Sequence, residues 1–413
     1  MKINTFFLVL LFSASIFCEG ISIDEYIKSA KKDSRLKIKK EAVETFDSAG
    51  DTPWIKNLEF RSETGNFDIK EQTYGLRLYF KGFGETKYSR ELIKNTQNLH
   101  KLDYRIEYQN ILFERYNTIL LYIHHKKEAE ILDLMKQILE DKLTVTEKIS
   151  QITAEKTEVD IMDAEDEIYD NEMQKSDLEY EIRSIEKTIK YDTNSDEAPL
   201  FDREKIISLE EIAVFADSAA SEQAKLKTAS EYQNLQMAVA QSEIALEEAK
   251  SNDWLKFISL EYDTGHREDK PSRGFSIGFA ISIPVFKNNQ NSLLKKQSRS
   301  LNESFDFYEE QRLREIEIET IASTLKQDIK QHEILSEKRN RAENSGLLEK
   351  YSSSDGVNPL IVLKLKERIL RQSVKILDLE LKIYMKYIRL NYLMENFTHE
   401  SEQNFLYSAN IQR

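Results

Sequence analysis

Apolar residues recur at helical spacing along most of the chain, but four short stretches switch to strict alternation. The clearest is Phe275-Ser276-Ile277-Gly278-Phe279-Ala280-Ile281-Ser282-Ile283, with large apolar residues on one face and small or polar ones on the other. This period of two predicts a strand and excludes an amphipathic helix. Tyr74, Leu76, Leu78 and Phe80 repeat the pattern, with Gly75, Arg77, Tyr79 and Lys81 opposite. Partners lie around Leu58 and Phe60, and around Ile258, Leu260 and Tyr262, across the polar segments 63–72 and 264–273. Two hairpins are predicted, with strands at about 54–63, 72–82, 255–263 and 274–286.

Each hairpin leads into a very long helical pattern, at about 85–148 and 291–343. The first carries Leu99, Leu102, Ile106, Phe113, Leu120 and Ile123 at spacings of three, four or seven, and at ~1.5 Å per residue would reach roughly 90 Å. Returning helices are predicted at about 153–191 and 357–396, the second with a seam of Leu370, Val374, Leu377, Leu381, Tyr384 and Ile388. A further helix over 209–250 is rich in alanine, which lets its backbone approach its neighbours closely.

The elements occur twice. Ile21-Ser22-Ile23-Asp24-Glu25 is echoed by Ile207-Ser208-Leu209-Glu210-Glu211, and the only two tryptophans, Trp54 and Trp254, stand at equivalent points before a strand. Gly75 and Gly278 then fall inside matching alternating runs. The division expected is an export signal at 1–20, one repeat at 21–206 and a second at 207–413.

Composition supports long helices. Of 413 residues 32% are charged, with only 11 glycines and 5 prolines to interrupt them. The net charge of −14 disfavours nucleic acid as a partner, so none is expected. Residues 1–20 carry Lys2, an apolar stretch from Ile3 to Phe12 and small residues after it, the layout of an export signal. Cleavage after Gly20 leaves a mature chain without cysteine; alternatively Cys18 could be a lipidated first residue, although the bulky Phe17 before it argues against that.

Because nearly everything else reads as helix, no second sheet is available to cover the apolar strand faces, and lipid would cover them instead. The lipid-facing set is Leu76, Leu78, Phe80, Ile277, Phe279, Ile281 and Ile283, with Trp54, Trp254, Phe83 and Phe286 placed for an aromatic girdle. The competing reading is a pair of ordinary hairpins, each with one face on a soluble core. Four strands cannot close a barrel, and open sheet edges in lipid cost several kcal/mol per unpaired group. The chain must therefore pool its strands with other copies: two would give eight strands and three would give twelve.

The order of these landmarks resembles the TolC-like outer-membrane efflux family over nearly all of the mature chain. The resemblance is carried by "ISIDEYIKSA" and "ISLEEIAVFA" opening the halves, "GFAISIPVFKNN" leaving the second hairpin, and "TEVDIMDAE" and "GVNPLIVLKLKE" at the helical tips. It implies a mostly α fold with a small antiparallel β part: long antiparallel coiled-coil helices form an α-barrel, and a homotrimer closes a 12-strand barrel in outer-membrane lipid. It also implies docking onto a periplasmic adaptor and an inner-membrane pump, with the duct extending from the outer membrane into the periplasm and passing solutes without driving them. Family members narrow the tunnel mouth with aspartates three apart on a helix. Asp160 and Asp163 match that pattern, but Ile361 and Lys364 stand at the matching positions of the second half. Any acidic constriction must then come from Asp160 and Asp163, with Lys364 a candidate partner across the trimer. A periplasmic coiled-coil scaffold is the alternative function.

Enzyme chemistry is not expected. The chain has no phosphate-cradling glycine loop, no G-x-S-x-G and no H-E-x-x-H. His124 and His125 are adjacent, so they diverge by about 100° on a helix and are not expected to share a metal. No cofactor is expected.

Overall fold

The computed structural model describes residues 20–48, 53–64, 72–82, 84–152, 158–201, 203, 206–221, 227–251, 255–264, 266–267, 270–271, 274–281, 290–344, 359–397 and 404–407. Its helices are α1 (Ile23–Lys28), α2 (Ser34–Asp47), α3 (Glu85–Ile152), α4 (Glu158–Thr193), α5 (Leu209–Ser221), α6 (Lys227–Ser251), α7 (Gln290–Asn344) and α8 (Pro359–Leu393). Its strands are β1 (Ile55–Thr64), β2 (Gln72–Phe80), β3 (Leu255–Asp263), β4 (His266–Arg267), β5 (Lys270–Pro271) and β6 (Gly274–Ile281). This is the mostly α fold with a small antiparallel sheet that the periodicities indicate. No described helix is long and apolar enough to cross a membrane.

The 68 residues of α3 extend about 100 Å, and α4, α6 and α8 pack along it while α7 packs on α8. Such lengths are stable only because neighbours bury one stripe after another. On α8 the buried line runs Ile369, Ile376, Ile383 and Leu390, one residue per heptad, with Leu377 and Ile388 beside it. Leu370, Val374, Leu381 and Tyr384 of the expected seam lie half-buried on its flank. The difference has a plain cause: α8 contacts both α3 and α7, so its covered face is wider than one seam.

Both repeat openings begin a helix in the same way. Ser22 Oγ accepts from Glu25 N while Glu25 Oε2 accepts from Ser22 N, and Ser208 and Glu211 exchange the equivalent pair at 3.2 Å each. Each opening is tied to a distant segment, Ile21 to Ala198 and Leu200, Ile207 to Leu406. Around these ties lies the main core, built by Tyr26, Leu36, Ile111, Tyr116, Ile119, Ile189, Ile212, Leu325, Ile383 and Leu406.

The two hairpins join in one sheet of order β1-β2-β3-β6, all antiparallel. Register aligns Leu58, Leu78, Ile258 and Phe279 in one row and Phe60, Leu76, Leu260 and Ile277 in the next. Gly278 sits where a Cβ would come within 2.6 Å of Ser259 Oγ, so the residue type is set by the neighbouring strand. The second connection, expected to be turn only, carries the short ladder of β4 and β5.

Candidate functional site

Two regions at opposite ends of the helices stand out, an exposed apolar sheet face and a charged cleft. At one end stands the sheet. Partners in register share a face, so the rows just described form a continuous apolar surface with Tyr74, Tyr262 and Phe275 below them. Ile277 is 74% exposed and Phe279 69%; Leu76 and Ile281 are exposed as well, while Leu78 and Phe80 are half-buried. Trp54 is exposed at the rim and stacks on Phe80 at 5.1 Å. Ile283, Trp254, Phe83, Phe286 and Cys18 lie outside the described residues.

The other face of the sheet is polar or small. Arg61 Nε donates to Glu59 Oε1 at 2.8 Å, Tyr79 Oη donates to Glu59 Oε2 at 2.7 Å, and Arg77 pairs with Glu261 at 3.5 Å while lying over the Phe257 ring. A sheet apolar on its exposed face and charged on the other suits contact with hydrocarbon on one side and water on the other.

At the far end, α3, α4 and α8 enclose a cleft of about 630 Å³. Asp160, Asp163 and Lys364 all line it, so one chain brings the three to the same cleft. Asp160 is half-buried; Asp163 and Lys364 are exposed. Deeper in the cleft Lys142 holds the helices together. Its ammonium donates to Glu167 of α4 and, at 3.2 Å, to Glu367 of α8, whose other oxygen accepts from Arg371 at 2.8 Å. Burial by itself would raise the Glu367 carboxyl, but Arg371 and Lys142 hold it below its ordinary value near 4.5. The Lys142 ammonium is penalised by burial and still raised by its two carboxylates.

Sequence reasoning missed this hub. Glu167 stands seven residues after Asp160 and Glu367 three after Lys364, so helical spacing places both on the faces already singled out. Only Lys142, on a third helix, has no such signal.

The lock has a stated pH sense. A carboxylate with a depressed folded pKa contributes stability that is fully present above the unfolded value and lost as pH falls through the folded one. Glu367 should therefore help hold α8 to α3 at neutral pH and lose that contribution only in acid, below the ordinary value near 4.5. Lys142→Met should mimic that loss at neutral pH, costing about 1–2 kcal/mol of tip packing. Thermal melting against pH checks both: the variant should melt below the parent at neutral pH, and the gap should narrow in acid.

No family model matches the sequence, and no curated protein does either. The fold has solved counterparts. The open state of the Neisseria gonorrhoeae MtrE outer membrane channel aligns with a TM-score of 0.68 at 11% identity, covering 92% of this chain and 91% of that one. The outer membrane protein VceC from Vibrio cholerae aligns with a TM-score of 0.66 at 12% identity over 90% and 95%. CusC, a protein with transmembrane channel formation, gives 0.64 at 13% identity over 90% and 91%. The class is thereby defined: this chain has the TolC-like fold of outer-membrane channel proteins over almost its whole length.

Proposed function

We propose that the chain is one protomer of an outer-membrane export channel, a homotrimer that offers solutes a passive route through the periplasm and the outer membrane. The observation that carries this is the four-stranded sheet with one exposed apolar face and open edges at β1 and β6, set on a helical body about 100 Å long. Unpaired edges in hydrocarbon are costly, and placing the β6 edge of one copy beside the β1 edge of the next satisfies both; this head-to-tail contact closes into a ring.

The helices support the same assembly. On α4, Val159, Met162, Tyr169, Met173 and Tyr180 are exposed at spacings of three, seven, four and seven. On α7, Leu294, Leu301, Phe305 and Tyr308 repeat such a stripe. Two uncovered coiled-coil stripes on one chain suit packing against neighbouring copies. Three copies give the 12 strands that enclose water, as the fold relatives' channel role suggests.

The tip then faces the periplasm and is the surface for an adaptor protein and an inner-membrane pump, which supplies the energy. Asp160 and Asp163 form the constriction, with Lys364 moderating their charge. No catalytic role is proposed. Fractionation tests the assignment: the protein should sediment with the outer membrane as a trimer that dissociates on heating, whereas a soluble extended dimer would make it a periplasmic scaffold. Planar-bilayer conductance tests the constriction. Asp160→Ala with Asp163→Ala should raise conductance and weaken cation preference severalfold, and unchanged values would remove the acidic ring from the account.

A further inference from the structure

Past the middle of α3, three side chains turn toward one point. His124 Nδ1 lies 3.5 Å from His125 Nδ1, and Glu128 Oε2 lies 3.8 Å from the first and 4.0 Å from the second. The 100° between adjacent Cα–Cβ bonds does not keep the rings apart, because both side chains swing toward Glu128, one turn further along the helix. The two rings thus converge, where helical spacing alone has them diverge.

Other helices fix the outer atoms of this group. His124 Nε2 lies 3.1 Å from Asp378 Oδ1 on α8, and His125 Nε2 lies 3.3 Å from Glu181 Oε2 on α4. Gln174 Nε2 donates to Glu128 Oε1 at 3.2 Å. A carboxylate facing an imidazole nitrogen holds the proton at that nitrogen. With both rings protonated at Nε2, two Nδ1 lone pairs and a carboxylate oxygen converge without a hydrogen among them. Three carboxylates surround the two rings. The centre calls for positive charge.

A proton on one imidazole satisfies only one edge of the triangle. A metal ion satisfies all three corners: a triangle with sides of 3.5, 3.8 and 4.0 Å has a point about 2.2 Å from each atom, beside ~2.0–2.1 Å for Zn–N and ~2.0–2.2 Å for Zn–O. His124 is buried, and Gln174 and Asp378, which contact Glu128 and His124, line a neighbouring cleft of about 440 Å³. We propose that His124, His125 and Glu128 bind one divalent transition-metal ion of the zinc type, with water in the fourth position. Two imidazoles and one carboxylate suit zinc, nickel or copper and not calcium or magnesium, which demand oxygen shells. Asp378 and Glu181 are positioning residues; through them the ion would tie α4 and α8 to α3.

The test uses the full-length protein in detergent, stripped with a chelator and titrated with zinc chloride at neutral pH by calorimetry. The expected result is saturable binding of one ion per chain and a rise in thermal midpoint at saturation. Glu128→Gln, which keeps the side-chain shape and so the fold, should weaken binding at least tenfold, and Asp378→Asn about 10–100-fold. His332→Ala, which removes a histidine paired with Glu380 elsewhere, should leave it unchanged. The proposal is overturned by the absence of saturable binding, or by binding that Glu128→Gln does not weaken. It is equally overturned if the thermal midpoint follows pH through the imidazole range but ignores zinc, since a shared proton would then fill the centre.

Discussion

Ile277→Arg combined with Phe279→Arg is expected to abolish the proposed trimer and leave the chain unassembled. Both side chains stand fully out from the sheet, in the rows that the register makes continuous across four strands. An arginine on the lipid face near the bilayer midplane costs about 2–4 kcal/mol, so two cost about 4–8 kcal/mol in every chain of the ring. That is comparable to the ~5–15 kcal/mol by which folded proteins are stable. The matched control is Ser276→Arg, on the opposite face beside Glu261. It should assemble normally and alter conductance instead. Unheated gel electrophoresis of outer-membrane fractions reads the first outcome, and bilayer recordings read the second. Equal tolerance of both variants would mean the apolar face does not meet lipid.

The second large effect concerns the core, far from lipid. Arg115 on α3 is 2% exposed and is surrounded by the first repeat's opening: Nη1 donates to Tyr26 O at 2.6 Å and to Ser29 Oγ, Nη2 lies 3.8 Å from Asp33 Oδ2, and the guanidinium sits over the Tyr26 ring at 4.9 Å. Tyr26 in turn donates to Asp192 at 2.7 Å, so one side chain links α1, α3 and the end of α4. Arg115→Met removes the donor that Tyr26 O and Ser29 Oγ share and leaves them only their own bond, Ser29 Oγ donating to Tyr26 O at 2.7 Å. The expected loss is about 3 kcal/mol. Part is recovered because Met fills the volume and because Asp33 keeps Arg35, which donates to it through both its backbone N–H and its guanidinium. Thermal unfolding followed by circular dichroism should show a clearly lower midpoint, with helix content unchanged below it.

A smaller effect of the same kind is expected at Asp328 of α7, buried between Lys382 and Lys386 of α8 at 2.9 and 2.7 Å. Asp328→Ala should cost about 2 kcal/mol, because two ammonium groups that are themselves partly solvated lose their shared carboxylate. Its folded pKa is held down: burial opposes ionisation, but the two lysines outweigh it. The contribution is therefore present above the ordinary value near 3.8 and lost only in stronger acid. A parent-minus-variant comparison of melting against pH should show a constant gap at neutrality that narrows in acid.

Periodicity made most of the architecture legible. Which runs pair within each hairpin followed from which alternating stretches flank a turn, whereas the register that sets Leu58 beside Leu78 and Leu260 beside Ile277 came only with the structure. Helix lengths followed from the scarcity of glycine and proline. What could not be read are contacts between helices far apart in sequence. The buried line of α8 depended on which two neighbours cover it, and nothing within residues 359–393 states that. Lys142 looks like any surface lysine until Glu167 and Glu367 arrive from two other helices. The convergence of the two histidine rings was illegible for a different reason: side-chain reach decides it rather than backbone angle, and Asp378 and Glu181, which face the rings, come from α8 and α4.

The central claim is that four short strands per chain meet hydrocarbon and are pooled by neighbouring copies into one closed barrel. Native mass spectrometry of the purified full chain, with and without detergent, tests it most directly. The account predicts a particle of three chains that requires detergent to stay in solution. A single chain, soluble in plain buffer, would contradict it.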